Sequence, residues 1–94
     1  MGKAEYKVKG GKLIRVQLYR RGNKIDKIKI TGDFFLHPED LIEELEKTLL
    51  NHPLNETDLT DAIGDLIEQR KAILLGASPE DFAKCIVMAG EKDG

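Results

Sequence analysis

From Lys3 to Lys9 the chain alternates, with Ala4, Tyr6 and Val8 on one side and Lys3, Glu5, Lys7 and Lys9 on the other. That period of two predicts a half-buried strand. Gly10-Gly11 then invites a hairpin, and the next strand sets Ile14, Val16 and Leu18 on one face. The pattern also constrains the loop. A two-residue turn would pair Val8 with Leu13 and Lys7 with Ile14, sending half of the apolar residues to the wrong side. A three-residue loop, Lys9-Gly10-Gly11 with Gly11 in the left-handed conformation, pairs Tyr6 with Ile14 and Ala4 with Val16, and is the expected form. Arg21-Gly22-Asn23 predicts a second turn, with Gly and Asn supplying positive φ. A third strand, about Lys24 to Thr31, turns Ile28 and Ile30 inward and Lys27 and Lys29 outward. Such a meander has one apolar face, and that face needs cover.

Helical spacing takes over after Thr31-Gly32-Asp33-Phe34-Phe35-Leu36, which reads as a strand-to-helix corner. Two of the three phenylalanines stand there beside a Gly-Asp pair typical of a tight bend. Gly32 is expected to take a backbone conformation other residues resist, and Asp33 to hydrogen-bond nearby backbone N–H groups. Phe34 or Phe35 should anchor the first helix to the sheet, one ring being core and the other facing a partner.

That helix should open at Pro38 in the N1 position, with Glu39 and Asp40 favourable to its dipole. Leu41, Ile42, Leu45 and Leu49 form its inner stripe, and Asn51 and Pro53 end it. The second helix starts near Thr57 or Asp58. Leu59, Ala62, Ile63, Leu66, Ile67, Ile73 and Leu74 keep its spacing, and its end falls between Gln69 and Leu75. Gly64 weakens its interior by about 1 kcal/mol. The third has Ser78 as N-cap, Pro79 at N1, Asp81 at N3 and Gly90 at the C-terminal cap, and buries Phe82, Cys85, Ile86 and Ala89. The expected fold class is α+β: a three-stranded antiparallel meander covered on one face by about three helices. Residues 1–94 read as a single domain, without an internal repeat or a linker long enough to divide them.

Composition sharpens this picture in two places. The formal net charge of -2 hides an asymmetry: ten Lys/Arg against Glu5 and Asp26 in residues 1–30 give +8, and five basic against fifteen acidic residues beyond give -10. Basic sheet and acidic helices are expected, either as two solvated faces or as a surface that meets a partner. No apolar run approaches the roughly 20 residues of a membrane span. Met1-Gly2-Lys3 lacks the apolar run of a secretory signal, and Tyr6 stands where a myristoylation motif wants Ser or Thr. The single Cys85 cannot close an internal disulfide and fits a reducing cytoplasm. The expected location is cytoplasmic, with no membrane partner.

Candidate chemistry is sparse. His37, His52 and Cys85 are the strong soft-metal candidates, and no pair has the short spacing of a zinc site. The two histidines precede Pro38 and Pro53 at helix ends, where capping or surface roles are expected. Cys85 falls on an apolar stripe as a small core residue. Glu43 and Lys47 form an i,i+4 pair on a solvated face rather than a general acid-base pair. Lys9-Gly10-Gly11-Lys12 lacks the phosphate-loop pattern and leads into a strand instead of a helix N-terminus. The basic sheet face carries only Tyr19 as an outward ring, where RNA-binding sheets need stacking aromatics, so no nucleic acid is expected. No catalytic residue, cofactor site or metal site is assigned to this chain alone.

Several of these segments together resemble the C-terminal accessory domain of lipoate-protein ligases. They are Gly10-Gly11-Lys12-Leu13-Ile14-Arg15-Val16, Ile28-Lys29-Ile30-Thr31-Gly32-Asp33-Phe34-Phe35, Pro38-Glu39-Asp40 and Leu45-Glu46. The resemblance covers nearly the whole chain, and its most specific part is the Ile-Thr-Gly-Asp-Phe-Phe run followed closely by Pro-Glu-Asp. It implies a free-standing, non-catalytic small subunit of a two-component, archaeal-type ligase, in a heterodimer with a large catalytic subunit. In such enzymes lipoate and ATP give lipoyl-adenylate, and the lipoyl group then passes to a lysine of an acceptor protein. The resemblance places lipoate, ATP and Mg on the large subunit and makes the small domain necessary chiefly for adenylation. Thr31, Gly32, Asp33, Phe34 and Phe35 are the family motif and, with the basic sheet edge, the candidate partner interface. The alternative is a small α+β protein-interaction module unrelated to ligation. A lipoylated acceptor is disfavoured, because no Asp-Lys-Ala hairpin occurs and the second half is helical.

Overall fold

The computed structural model describes residues 1–93. Its first half is the expected meander: β1 (Gly2–Lys7), β2 (Leu13–Arg21) and β3 (Lys24–Gly32), antiparallel in the order β1-β2-β3. The pairing of Tyr6 with Ile14 and of Ala4 with Val16 is the register that the three-residue loop demanded. The loop itself differs in one detail. Gly10, not Gly11, takes positive φ, at 69°, while Gly11 N–H donates to Val8 O at 2.9 Å. Positive φ at the third of these four residues is what a type II turn needs. Gly11 is required for a different reason: a Cβ there would stand 2.5 Å from Gly76 O.

The second turn closes on Gly22-Asn23, with only Gly22 at positive φ (58°). Glycine at the first central position is the signature of a type II′ hairpin. Just past it the register slips between Tyr19 and Arg20, so that Tyr19 faces Lys27 while Arg20 faces Ile25. The slip leaves Asp26 as an extra residue. Strict alternation would have put Ile25 on the outer face with Lys27 and Lys29; the bulge turns it inward to full burial. Ile14, Val16, Leu18 and Ile30 complete the buried face of the sheet, and Ile28 is half-buried.

Beyond Gly32 the chain does not turn directly into a helix. It forms a short strand, β4 (Phe35–His37), passes a cis His37-Pro38 bond, and reaches α1 (Leu41–Thr48) only after Pro38-Glu39-Asp40. Leu41, Ile42 and Glu43 N–H groups donate to the carbonyls of Pro38, Glu39 and Asp40. Pro38 therefore heads a tighter i→i+3 turn, and the helix proper starts three residues later than expected. α1 buries Leu41 and Leu45, with Leu49 at its C-cap, and Asn51 at φ 68° ends it as the sequence indicated. Its partner is the edge of the sheet: a Glu46 carboxylate oxygen accepts from Ile30 N–H at 2.7 Å. The expected Glu43-Lys47 ion pair does not form among the described residues; Glu44 pairs instead with Arg70.

α2 runs Glu56–Gln69, with the Asn55 side chain accepting from Asp58 N–H at 3.0 Å. It stops at the early end of the expected range. Lys71 adopts φ 52°, and Ile73 and Leu74, expected to continue the helix, lie instead in β5 (Ile73–Leu75), antiparallel to β4. α3 (Pro79–Glu91) carries the expected capping box: Asp81 N–H donates to Ser78 Oγ at 3.3 Å, and Ser78 N–H donates to Asp81 Oδ2 at 2.9 Å. Gly90 is not its cap but lies inside the last turn, where a Cβ would meet Leu54 Cδ1 at 2.9 Å.

The helices are not a uniform layer. α3 lies on β1 and β2, α2 packs chiefly on α3, and α1 closes the β3 side. Ala83 and Ala89 are fully buried, and Gly2 of β1 has no room for a Cβ against Ala89 O. Small residues let α3 approach the sheet closely. Truncating the α3 cap by Ser78→Ala should cost about 1 kcal/mol. A thermal melt should show the midpoint falling by about 4–8 °C.

Candidate partner interface

The corner from Thr31 to Leu36 is built on Leu13, at the start of β2. Leu13 N–H donates to Asp33 Oδ1 at 2.6 Å, and Asp33 N–H donates to Leu13 O at 3.2 Å. This reciprocal pair ends β3. Gly32, at φ 156°, sits between the two: a Cβ would collide with Leu13 O and lie 2.8 Å from the Phe34 ring. The Leu13 N–H holds the Asp33 carboxyl below its ordinary range, helped by the positive charges of Lys12 and Lys7. Phe34 is half-buried and meets Phe82 of α3 edge-on, with centroids 4.8 Å apart and planes at 81°. Phe35 points the other way and is 51% exposed.

Of the five residues expected at an interface, then, Gly32, Asp33 and Phe34 hold the joint together. Thr31 lies exposed on the outer sheet face opposite Arg15, and Phe35 is the ring left in solvent. Phe34 anchors the corner to α3 rather than to the first helix.

Two further surfaces come together in space. On the outer sheet face, Lys3, Gln17 and Lys29 form one cross-strand row and Tyr19 and Lys27 the next, with Lys27 Nζ 5.8 Å from the Tyr19 ring centroid. Arg15 and Arg21 pair with Glu5 and Asp26, while the lysines here form no ion pair among the described residues. The second surface is the outward side of the β4-β5 ribbon. Phe35 faces Leu75 and His37 faces Ile73, so these four side chains share one side. Reading Ile73 and Leu74 as helical hid this surface. The signal that could have found it is the isolated run Ile73-Leu74-Leu75-Gly76 after Arg70-Lys71, too short and too apolar for an exposed helix end.

Neither histidine heads or closes a helix with its side chain. His37 is exposed in β4 and stacked on Phe35, and His52 lends its carbonyl to Ile25 N–H at 3.0 Å. Cys85 is fully buried with Sγ 3.6 Å from Ala4 O, and burial pushes its thiol up to about 11, which suits packing and not nucleophilic attack. The described residues hold no group of three or more His, Cys, Asp or Glu placed to grip a metal, and the Gly10-Gly11 hairpin runs into a strand. No chemical step is assigned to these residues. No helix is long and apolar enough to cross a membrane among the described residues.

This is an α+β domain whose polar groups secure its folding and whose unspent surfaces are a basic sheet face and an apolar ribbon. It belongs to the family described as the bacterial lipoate protein ligase C-terminus, which matches residues 3–86. The chain is 42% identical over 81 residues to lipoate-protein ligase A subunit 2 of Thermoplasma acidophilum, spanning 86% of this chain and 82% of that protein. It is also similar to a chain in a solved structure of an archaeal lipoylation system, described as a bipartite lipoate protein ligase and its E2 lipoyl domain from the same organism. There the TM-score is 0.77 at 40% identity, covering 89% of this chain and 91% of the other.

The corner yields two tests. Phe34→Ala should cost about 2–3 kcal/mol in chemical denaturation, below the full range for a buried ring because Phe34 is half-exposed. Phe35→Ala should stay within about 0.5 kcal/mol of the parent. Asp33 titrates below its ordinary value only when folded, so its contribution is complete above the carboxylate range and fades as pH falls through the folded value. The gap in melting temperature between the parent and Asp33→Asn should therefore be widest above about pH 5 and narrow below about pH 4.

Proposed function

We propose that this chain is the non-catalytic accessory subunit of a two-component lipoate-protein ligase, acting in the cytoplasm. With its large catalytic subunit it supports ATP-dependent conversion of lipoate to lipoyl-adenylate, ahead of transfer to a lysine of an acceptor protein. Lipoate, ATP and Mg belong to the large subunit. The observation that carries this reading is the match across nearly the whole domain, in sequence and in fold, to a protein named as the second subunit of such a ligase.

The physical role follows from what the domain has to offer. It presents surfaces on a rigid core, so its effect on adenylation comes from binding one conformation of the catalytic subunit more tightly than another. A tenfold gain in rate by this route needs about 1.4 kcal/mol of differential affinity, well within the reach of a modest interface. Pyrophosphate release from ATP and lipoate should be followed with the catalytic subunit alone and with this chain added to saturation. A rise of at least about tenfold is expected; equal rates would remove the accessory role.

A further inference from the structure

The described residues include six exposed large hydrophobic side chains, and three of them stand on one short ribbon. Phe35, Ile73 and Leu75 are 51%, 50% and 58% exposed, while Leu36 and Leu74 turn inward to the core. The fourth outward side chain, His37, stacks on Phe35 with centroids 6.4 Å apart and planes at 6°. A groove of about 300 Å³ continues from Phe35 between the end of β3 and α1, lined in part by Thr31, Phe34, Glu39 and Ile42. Single exposed apolar residues are ordinary, but a contiguous aromatic and aliphatic patch beside a groove marks a contact surface.

We propose that the outward face of the β4-β5 ribbon, with this groove, is where the catalytic subunit docks. The assignment rests on the accessory-subunit reading and adds the surface to it. Area selects the occupant. The half-exposed ribbon side chains offer on the order of 300 Å² in all, whereas a stable complex needs about 800 Å² from each partner. Two copies of this chain meeting ribbon to ribbon fall well short of that. A larger protein that covers the ribbon, fills the groove and reaches the flanking surfaces of β3 and α1 attains it. Chemistry agrees: a subunit held through many turnovers needs an apolar, aromatic centre with few charges. The lysine-rich outer sheet face suits instead a salt-sensitive contact governed by encounter rate.

The test measures the dissociation constant for the cognate catalytic subunit by titration calorimetry. Phe35→Ser/Leu75→Ser is compared with Lys27→Glu/Lys29→Glu, and thermal melts check that each is folded. If the serine pair fails to fold, Phe35→Ala and Ile73→Gln singly take its place. The ribbon variant should bind about tenfold or more weakly and recover the parental adenylation rate at saturating concentration, while the lysine variant stays within about threefold. Parental affinity in the ribbon variant, or a loss confined to the lysine variant, overturns the docking assignment alone, provided the parent stimulates adenylation. A parent that neither binds nor stimulates overturns the accessory role and the docking surface together. A parent that is dimeric by light scattering, and monomeric after Phe35→Ser/Leu75→Ser, reassigns the ribbon to self-association and overturns the proposal.

Discussion

Everything after the meander is placed by one joint, the reciprocal pairing of Asp33 with the Leu13 backbone. The carboxylate takes the Leu13 N–H and the Asp33 N–H returns to Leu13 O, so β3 ends at a defined point against β2. A charge-assisted hydrogen bond of this kind is directional, and its partner is backbone, which cannot swing away. Gly32 is what lets the two strands come close enough to make it. With the chain direction set there, Phe34 falls onto Phe82 and the next residue is forced outward. The joint thus ties the sheet to α3 and aims the ribbon away from the core in a single step.

The consequence is a division of labour between neighbours in sequence. Phe34 and Phe35 are chemically identical, yet one is a packing contact and the other a solvent-facing ring. The family motif is therefore mainly structural, with its exposed ring at its end. β5 joins that end from the far side of α2, bringing Ile73 and Leu75 beside Phe35 and His37. In the same way Glu46 of α1 satisfies the edge of β3, and Asn51 and His52 satisfy Ile25. The acidic second half is thus partly spent on tying off a basic sheet. Lys3, Lys27 and Lys29 face outward on the side of the sheet away from its buried residues.

The core is formed without the outward side chains of β4 and β5. Cys85 shows the opposite situation, a thiol sealed between α3 and the sheet with no route to chemistry.

Much of this was legible in the residues. Alternation in β1 and β2 narrowed the register, since a two-residue turn would have sent half of the apolar residues to the wrong face. The Ser78-Pro79-Asp81 punctuation placed the start of α3 correctly, because capping is local chemistry. The family, and with it the ligase connection, was carried by the Ile28–Phe35 run. What sequence could not decide was long-range. The bulge at Asp26 turns Ile25 inward because loop 51–52 pairs with its backbone. Pro38 heads a tight turn rather than α1 because β4 has first to reach β5. Ile73 and Leu74 keep helical spacing on paper, but this three-residue apolar run pairs instead with β4, 36 to 40 residues away, rather than extending an exposed helix end. The corner with which β3 ends could be recognised from Gly32 and Asp33 alone; which phenylalanine it would expose was settled only when Phe82 arrived from α3.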